Sequence, residues 1–203
     1  IGLYGAIGFL SKYLFIYLLI SIALLFIYLI YYKKIKKIDF KYFIILEVFV
    51  VLLVPHIIWL FNNDFITITY GLKRAGLETT GIINHMKFPI IFFLKQIGLL
   101  IPFSILLWLL IKKFKLKVDL NDQKLIFLIF INFVPIILIL LTSIVSGSEI
   151  RTMWMTPFYL FFGVLFIYIF NSQINLKKIK PFLYGFLFLF FLSPILYAYI
   201  SIT

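Results

Sequence analysis

Apolar residues run through this chain in long stretches, with charged residues held largely to the intervals between them. The stretches are Tyr13 to Tyr32, Tyr42 to Phe61, Gln96 to Ile111, Leu125 to Val145, Trp154 to Phe170 and Phe182 to Ile200. Each approaches or exceeds the roughly 20 residues that carry a helix across a bilayer core. The pattern predicts an all-α, polytopic helical membrane protein with six full transmembrane helices in one domain covering residues 1–203. Ile1 to Leu10 (IGLYGAIGFL) reads as the end of a seventh span. Because the chain opens on Ile, we expect a fragment whose N-terminal part lies upstream. Pro102, Pro135, Pro157 and Pro194 fall inside spans, where each removes a backbone donor and predicts a bend.

Composition agrees with the pattern: 65% of the 203 residues are hydrophobic and 21% aromatic, and the mean hydropathy is +1.17. Charge adds an orientation. The net charge of +12 comes mostly from three clusters, KKIKK with Lys41, KKFKLK with Lys124, and LKKIK, which alternate with the remaining Lys and Arg along the chain. By the positive-inside rule these clusters face the cytoplasm of a multi-pass protein in the cell inner (plasma) membrane. The charge is thereby absorbed by topology and by attraction to membrane lipids, and no nucleic-acid surface is expected. The cytoplasmic segments carry no Gly-rich phosphate cradle, so any chemistry should lie on the outer face. With no cysteine and two histidines 29 positions apart, the sequence offers no metal site and implies no cofactor.

The outer face collects the unusual polarity. Residues 62–95 form the longest connection, an extracytoplasmic loop in which interfacial helices are expected. It follows the stretch PHIIWLFNNDFITITYGLKR, in which His56, Trp59 and Asn63 share a helical face with Thr67 one turn on. That face reads either as the wall of an outward cavity or as an interfacial Trp with satisfied polar neighbours. The triplet Asn62, Asn63 and Asp64 reads equally as a helix stop. In SEIRTMW, Glu149 and Arg151 stand just outside a span, with Trp154 three residues on. The planar fork of Arg151 suits a phosphate, against the alternatives of a local Glu149–Arg151 pair or snorkelling into head groups. Lys12, in FLSKYL, marks a tight turn on the same face, and Lys73 and Arg74 are a second cationic pair.

Four stretches together resemble one family. GAIGFLSKYLFIYLL is similar to the Gly-rich helical hairpin of bacterial family 39 glycosyltransferases, enzymes related to protein O-mannosyltransferases and to the lipid A aminoarabinose transferase. PHIIWLFNNDFITITYGLKR resembles their PHxxWLxxNDFxTxTY segment, FLKQIGLLIPFSILLWLL their next span, and GSEIRTMWMTPFYLFFGVL their Arg-Trp-Pro segment. The resemblance implies the C-terminal part of a GT-C-like membrane domain. It also implies transfer of a sugar from a polyprenyl-phosphate donor to a lipid, glycan or protein acceptor at the outer face. The family's catalytic carboxylate would lie in a loop upstream of Ile1. Lys12 and Arg151, with Lys73 and Arg74, would hold the carrier phosphate. Tyr13, His56, Trp59, Asn63, Asp64, Tyr70, Glu149 and Trp154 would shape the substrate pocket. The alternative is a transporter or flippase for a lipid-linked sugar, for which ionisable residues near the midplane would be expected. Under the enzyme reading, Lys12, His56, Asp64 and Arg151 should converge in one cavity.

Overall fold

The computed structural model describes residues 1–202 apart from 33, 34, 36–38, 77–80, 112, 113 and 117. Lys33, Lys34, Lys36, Lys37, Lys112, Lys113 and Lys117 of the basic clusters, and residues 77–80 of the long loop, therefore lie outside the described residues. The described residues are mostly helical and form no strand, in the order α1 (Gly2–Ser11), α2 (Ile16–Tyr31), α3 (Lys41–Asn62), α4 (Ile66–Arg74), α5 (Asn84–Leu110), α6 (Gln123–Ser146), α7 (Phe162–Phe170) and α8 (Ile179–Ile202). A 3₁₀ turn, Tyr13–Phe15, leads into α2, and a 3₁₀ segment, Thr152–Tyr159, precedes α7.

Among the described residues five helices are long and apolar enough to cross a membrane, and six if the bent pair at Thr152–Tyr159 and Phe162–Gln173 counts as one span. That pair is bent by 48°, just after Pro157, where the sequence predicts a break. α1 has ten residues, about 15 Å of rise, and so covers only part of a bilayer. The largest departure from the sequence expectation is in the long loop. Its second half is helical: α5 starts at Asn84, and FPIIFFLK forms early turns of it, so the expected span start at Gln96 falls inside a continuous helix. Pro89 sits in the second turn of that helix, where it costs a single backbone bond. Of the predicted interfacial helices, one short helix, α4, is present between Phe65 and Ala75.

Packing centres on α6, of which 39% of the apolar window is buried, against none for α8. Lipid chains are as apolar as Leu, so helices in a bilayer are held by close packing and polar contacts rather than by escape from water. Phe92 of α5, Ile139 of α6 and Met155 and Phe158 of the 3₁₀ segment form one core, with Trp154 packed against it. Leu125, Leu128 and Ile131 meet Leu165 of α7 in a second. α1 lies on α3 so closely that a Cβ at Gly2 would run into the Ile45 carbonyl. Hydroxyls within the spans return to the backbone one turn back, as in Ser21 to the Tyr17 carbonyl, Thr142 to Leu138 and Ser193 to Leu189. Among the described residues the buried polar side chains are Ser21, Ser143 and Ser148 and two amides, Asn132, which donates to the Leu128 carbonyl, and Gln96, whose carbonyl oxygen accepts from the Tyr159 hydroxyl.

Candidate functional site

The bundle has two polar ends, and the candidate residues gather at the one opposite the basic loops. Their positions are set by how the helices stop there. α1 stops at Lys12, which takes an extended conformation and turns the chain into the 3₁₀ turn carrying Tyr13. α3 stops at Asn63 through a pair of left-handed residues, Asp64 (φ 49) and Phe65 (φ 53). The Phe65 amide reaches back to the Leu60 carbonyl at 3.0 Å, the six-to-one bond also found in a Schellman stop, and its ring contacts Phe61. A phenylalanine in this region costs on the order of 1–2 kcal/mol, and two tied residues hold it there.

The reversed chain then enters α4 and brings Thr67 back to Tyr13. The Tyr13 hydroxyl lies 2.7 Å from Thr67 Oγ1 and 2.8 Å from His56 Nε2. The His56 ring in turn stacks on Trp59, with 5.8 Å between centroids and 13° between planes. Together with Leu10, Ser11 and Lys12 these side chains line an open hollow of about 530 Å³. The Lys12 ammonium donates to the Trp154 carbonyl at 3.2 Å, which ties this hollow to the 151–154 turn. One cation, one phenol, the Ser11 and Thr67 hydroxyls, an imidazole and an aromatic face are thus arranged around a space of ligand size.

A second hollow, of about 490 Å³, opens beside it. Lys73, Arg74, Ala75 and Gly76 from the end of α4, Lys95 of α5, and Glu149, Arg151, Thr152 and Met153 line it. The Glu149 amide donates to the Ala75 carbonyl at 2.9 Å, joining two segments far apart in sequence. Behind them Gly147, at φ 64, ends α6. The His85 ring stands where a Cβ would project, and its Nδ1 lies 2.7 Å from the Ile144 carbonyl. A side chain at Gly147 would therefore meet both backbone strain and the imidazole.

The expected convergence of Lys12, His56, Asp64 and Arg151 in one cavity is not what the structure has. Lys12, Tyr13, His56 and Trp59 line the first hollow, whereas Lys73, Arg74, Glu149 and Arg151 line the second. Asp64 is exposed and lines neither, because its backbone serves the left-handed helix stop. Asn63 is spent on the same stop, its amide donating to the Trp59 carbonyl at 2.8 Å. Tyr70 also lies outside both, exposed, with its hydroxyl near Arg74 Nη1 at 3.4 Å. Trp154 contributes its carbonyl, while its ring packs on the Phe92 core rather than forming a pocket wall. Nor do Glu149 and Arg151 pair with each other: Glu149 lies 3.9 Å from Lys95.

Eight of the described residues that line the two hollows were left out of the expected site: Leu10, Ser11, Ala75, Gly76, Thr152 and Met153, and, with more to offer a ligand, Thr67 and Lys95. Thr67 was visible as a helical neighbour of His56, but a continuous helix would have carried it past the hollow. Lys95 looked like the rim of a span, and its place became plain only with α5 extended back to Asn84. Among the described residues no three His, Asp or Glu side chains group as metal ligands do.

The fold and the two hollows together define a multi-pass helical membrane protein with a polar, partly cationic recess at one end. No family model matches the chain, and neither a curated protein nor a solved structure matches it.

Proposed function

We propose that this chain belongs to a membrane glycosyltransferase that moves a sugar from a polyprenyl-phosphate carrier to a lipid, glycan or protein acceptor at the outer face of the membrane. The observation that carries the reading is the first hollow, where an ammonium, a Tyr–His–Thr hydrogen-bonded chain and a stacked Trp meet at a helix end. Each part fits a sugar phosphate held at a bilayer surface. Sugar hydroxyls need groups that both donate and accept, which Tyr13, Thr67 and His56 are. The apolar face of a pyranose packs on an aromatic plane such as Trp59. As the glycosidic carbon–oxygen bond breaks, negative charge grows on the departing phosphate, and the Lys12 ammonium supplies a charge-assisted donor there. The acceptor proton needs a base, and the described residues that line the first hollow include no carboxylate. The resemblance stated above supports the same reading from the sequence side.

The test uses the full-length protein in vesicles with a labelled polyprenyl-phosphate sugar and its acceptor. Lys12→Gln should lower the transfer rate by about two orders of magnitude, the scale of one lost charge-stabilising donor, while the protein still inserts and stays monodisperse. Transfer unchanged in that variant would remove Lys12 from the role. If the wild type moves the label across the bilayer without transferring it, the carrier-flipping reading takes the place of this one.

A further inference from the structure

We infer that the second hollow is a separate binding site for a phosphate-type anion, borne by an amphiphile in the adjoining leaflet, and that Arg151 is its principal ligand. The inference stands whether or not the chain is a transferase. Among the described residues, four cationic residues, Lys73, Arg74, Lys95 and Arg151, line this hollow against one carboxylate, Glu149. Glu149 is engaged by Lys95 at 3.9 Å, and Arg151 has no side-chain hydrogen bond or ion pair among the described residues. A guanidinium without a carboxylate, set in a concave space beside other cations, is arranged for an incoming anion that its two parallel N–H groups can grip.

The construction also argues against scattered surface charge. The cations arrive from three segments, the end of α4, the second half of the long loop now within α5, and the turn after α6. The Glu149–Ala75 backbone bond and the His85 contacts behind Gly147 fix those segments to one another. Lys73 and Arg74 do complement the C-terminal dipole of α4, which explains two cations but not the approach of Lys95 and Arg151. This cluster also stands at the opposite end of the bundle from the basic loops, where the charge distribution that orients a membrane protein does not call for cations. The hollow is bordered by the ends of α4 and α6, the part of a bundle expected to meet lipid head groups, so an anion carried by a lipid of the adjoining leaflet is the expected ligand. The two hollows share no lining residue, so this site does not duplicate the one holding Lys12.

The experiment measures lipid retained by the full-length protein in nanodiscs of phosphatidylcholine doped with phosphatidylglycerol, by native mass spectrometry. Wild type should keep phosphatidylglycerol over phosphatidylcholine, Arg151→Gln should reduce that preference about tenfold, and Arg151→Lys should fall between them. Lys124→Gln, the same charge loss at the opposite end of the bundle, should match wild type. A second arm adds millimolar inorganic phosphate to phosphatidylcholine-only nanodiscs and follows the unfolding midpoint against chloride at equal ionic strength. An Arg151-dependent response in the lipid arm assigns the anion to a lipid, and one in the phosphate arm alone assigns it to a soluble phosphate; either supports the site. Equal retention by Arg151→Gln and wild type with no response in the phosphate arm, or an equal loss in Lys124→Gln, overturns it. Arg151→Lys keeps the test decisive should the Gln variant fail to fold.

Discussion

At the end of the bundle formed by residues 110–125 and 168–178, polar groups find partners on the neighbouring helix. The Gln173 side chain closes on the Lys115 backbone from both sides, donating to its carbonyl at 2.6 Å and accepting from its amide at 2.7 Å. Ile111 and Ile174 form an antiparallel bridge, and the Tyr168 hydroxyl donates to Asp122 at 2.6 Å. At the other end, Lys12, Tyr13, His56, Arg74 and Arg151 border two open hollows, and the backbone beneath them is held in left-handed turns at Asp64, Phe65 and Gly147. At the first end these polar groups, among the described residues, have partners within the chain. The second end keeps its own facing outward and supports them with strained backbone, which is the ordinary mark of a binding site.

If that contrast is right, the rim of the open end should be sensitive in its backbone and tolerant in its side chains. The largest effect is expected from Gly147→Ala. A Cβ at φ 64 costs on the order of 1–2 kcal/mol, and this one also meets His85. The detergent-solubilised protein should show a clearly lower unfolding midpoint. No shift would mean that the 147–151 turn is not held against His85 as described.

Next comes Gln173→Ala at the closed end, with an expected loss of about 1 kcal/mol for two backbone contacts given up to water. Since Gln173 lines neither hollow, lipid retention and sugar transfer should stay at wild-type levels. Smaller still in stability is Tyr13→Phe. Its two partners border an open hollow and can turn to water, so only a few tenths of a kcal/mol should be lost. The same change should weaken sugar transfer several-fold under the proposed function. A variant that loses stability instead of transfer would make Tyr13 a structural bridge and erase the difference between the two ends.

Much of this was legible in the sequence because a bilayer leaves few options. Every buried backbone group must be paired within its own segment, so apolar stretches become helices and their polarity marks the ends. The candidate end was legible for the same reason: Lys12, His56, Trp59, Arg74 and Arg151 do collect there. What was not legible was the division into two hollows. It depends on the direction in which the chain leaves α3, and that is decided by left-handed residues at an aspartate and a phenylalanine, neither of which announces a positive φ as glycine does. The start of α5 was hidden too, because Lys87, Pro89 and Lys95 give its first turns the look of a loop. Gln96, read as the edge of a span, is buried twelve residues into the helix for that reason.

The smallest effect tests the closed end through pH. Asp122 caps α6, accepting from the Lys124 and Leu125 amides, and also accepts from Tyr168. The Tyr168 hydrogen bond, ahead of the backbone bonds, holds its carboxyl below the ordinary value of 3.8, against a partial opposing effect of burial. A carboxyl lowered on folding binds its proton more readily in the unfolded chain. Its stabilisation is therefore complete above 3.8 and fades as the pH falls through the lowered folded value. Asp122→Asn removes that titration, so the gap between the unfolding midpoints of wild type and variant should be constant near neutral pH and narrow under acid. Because the carboxyl is exposed, solvent screening keeps the gap small. A gap that widens on acidification would give the Tyr168 bond the opposite sign, and the closed end would then owe its order to Gln173 and the Ile111–Ile174 bridge alone.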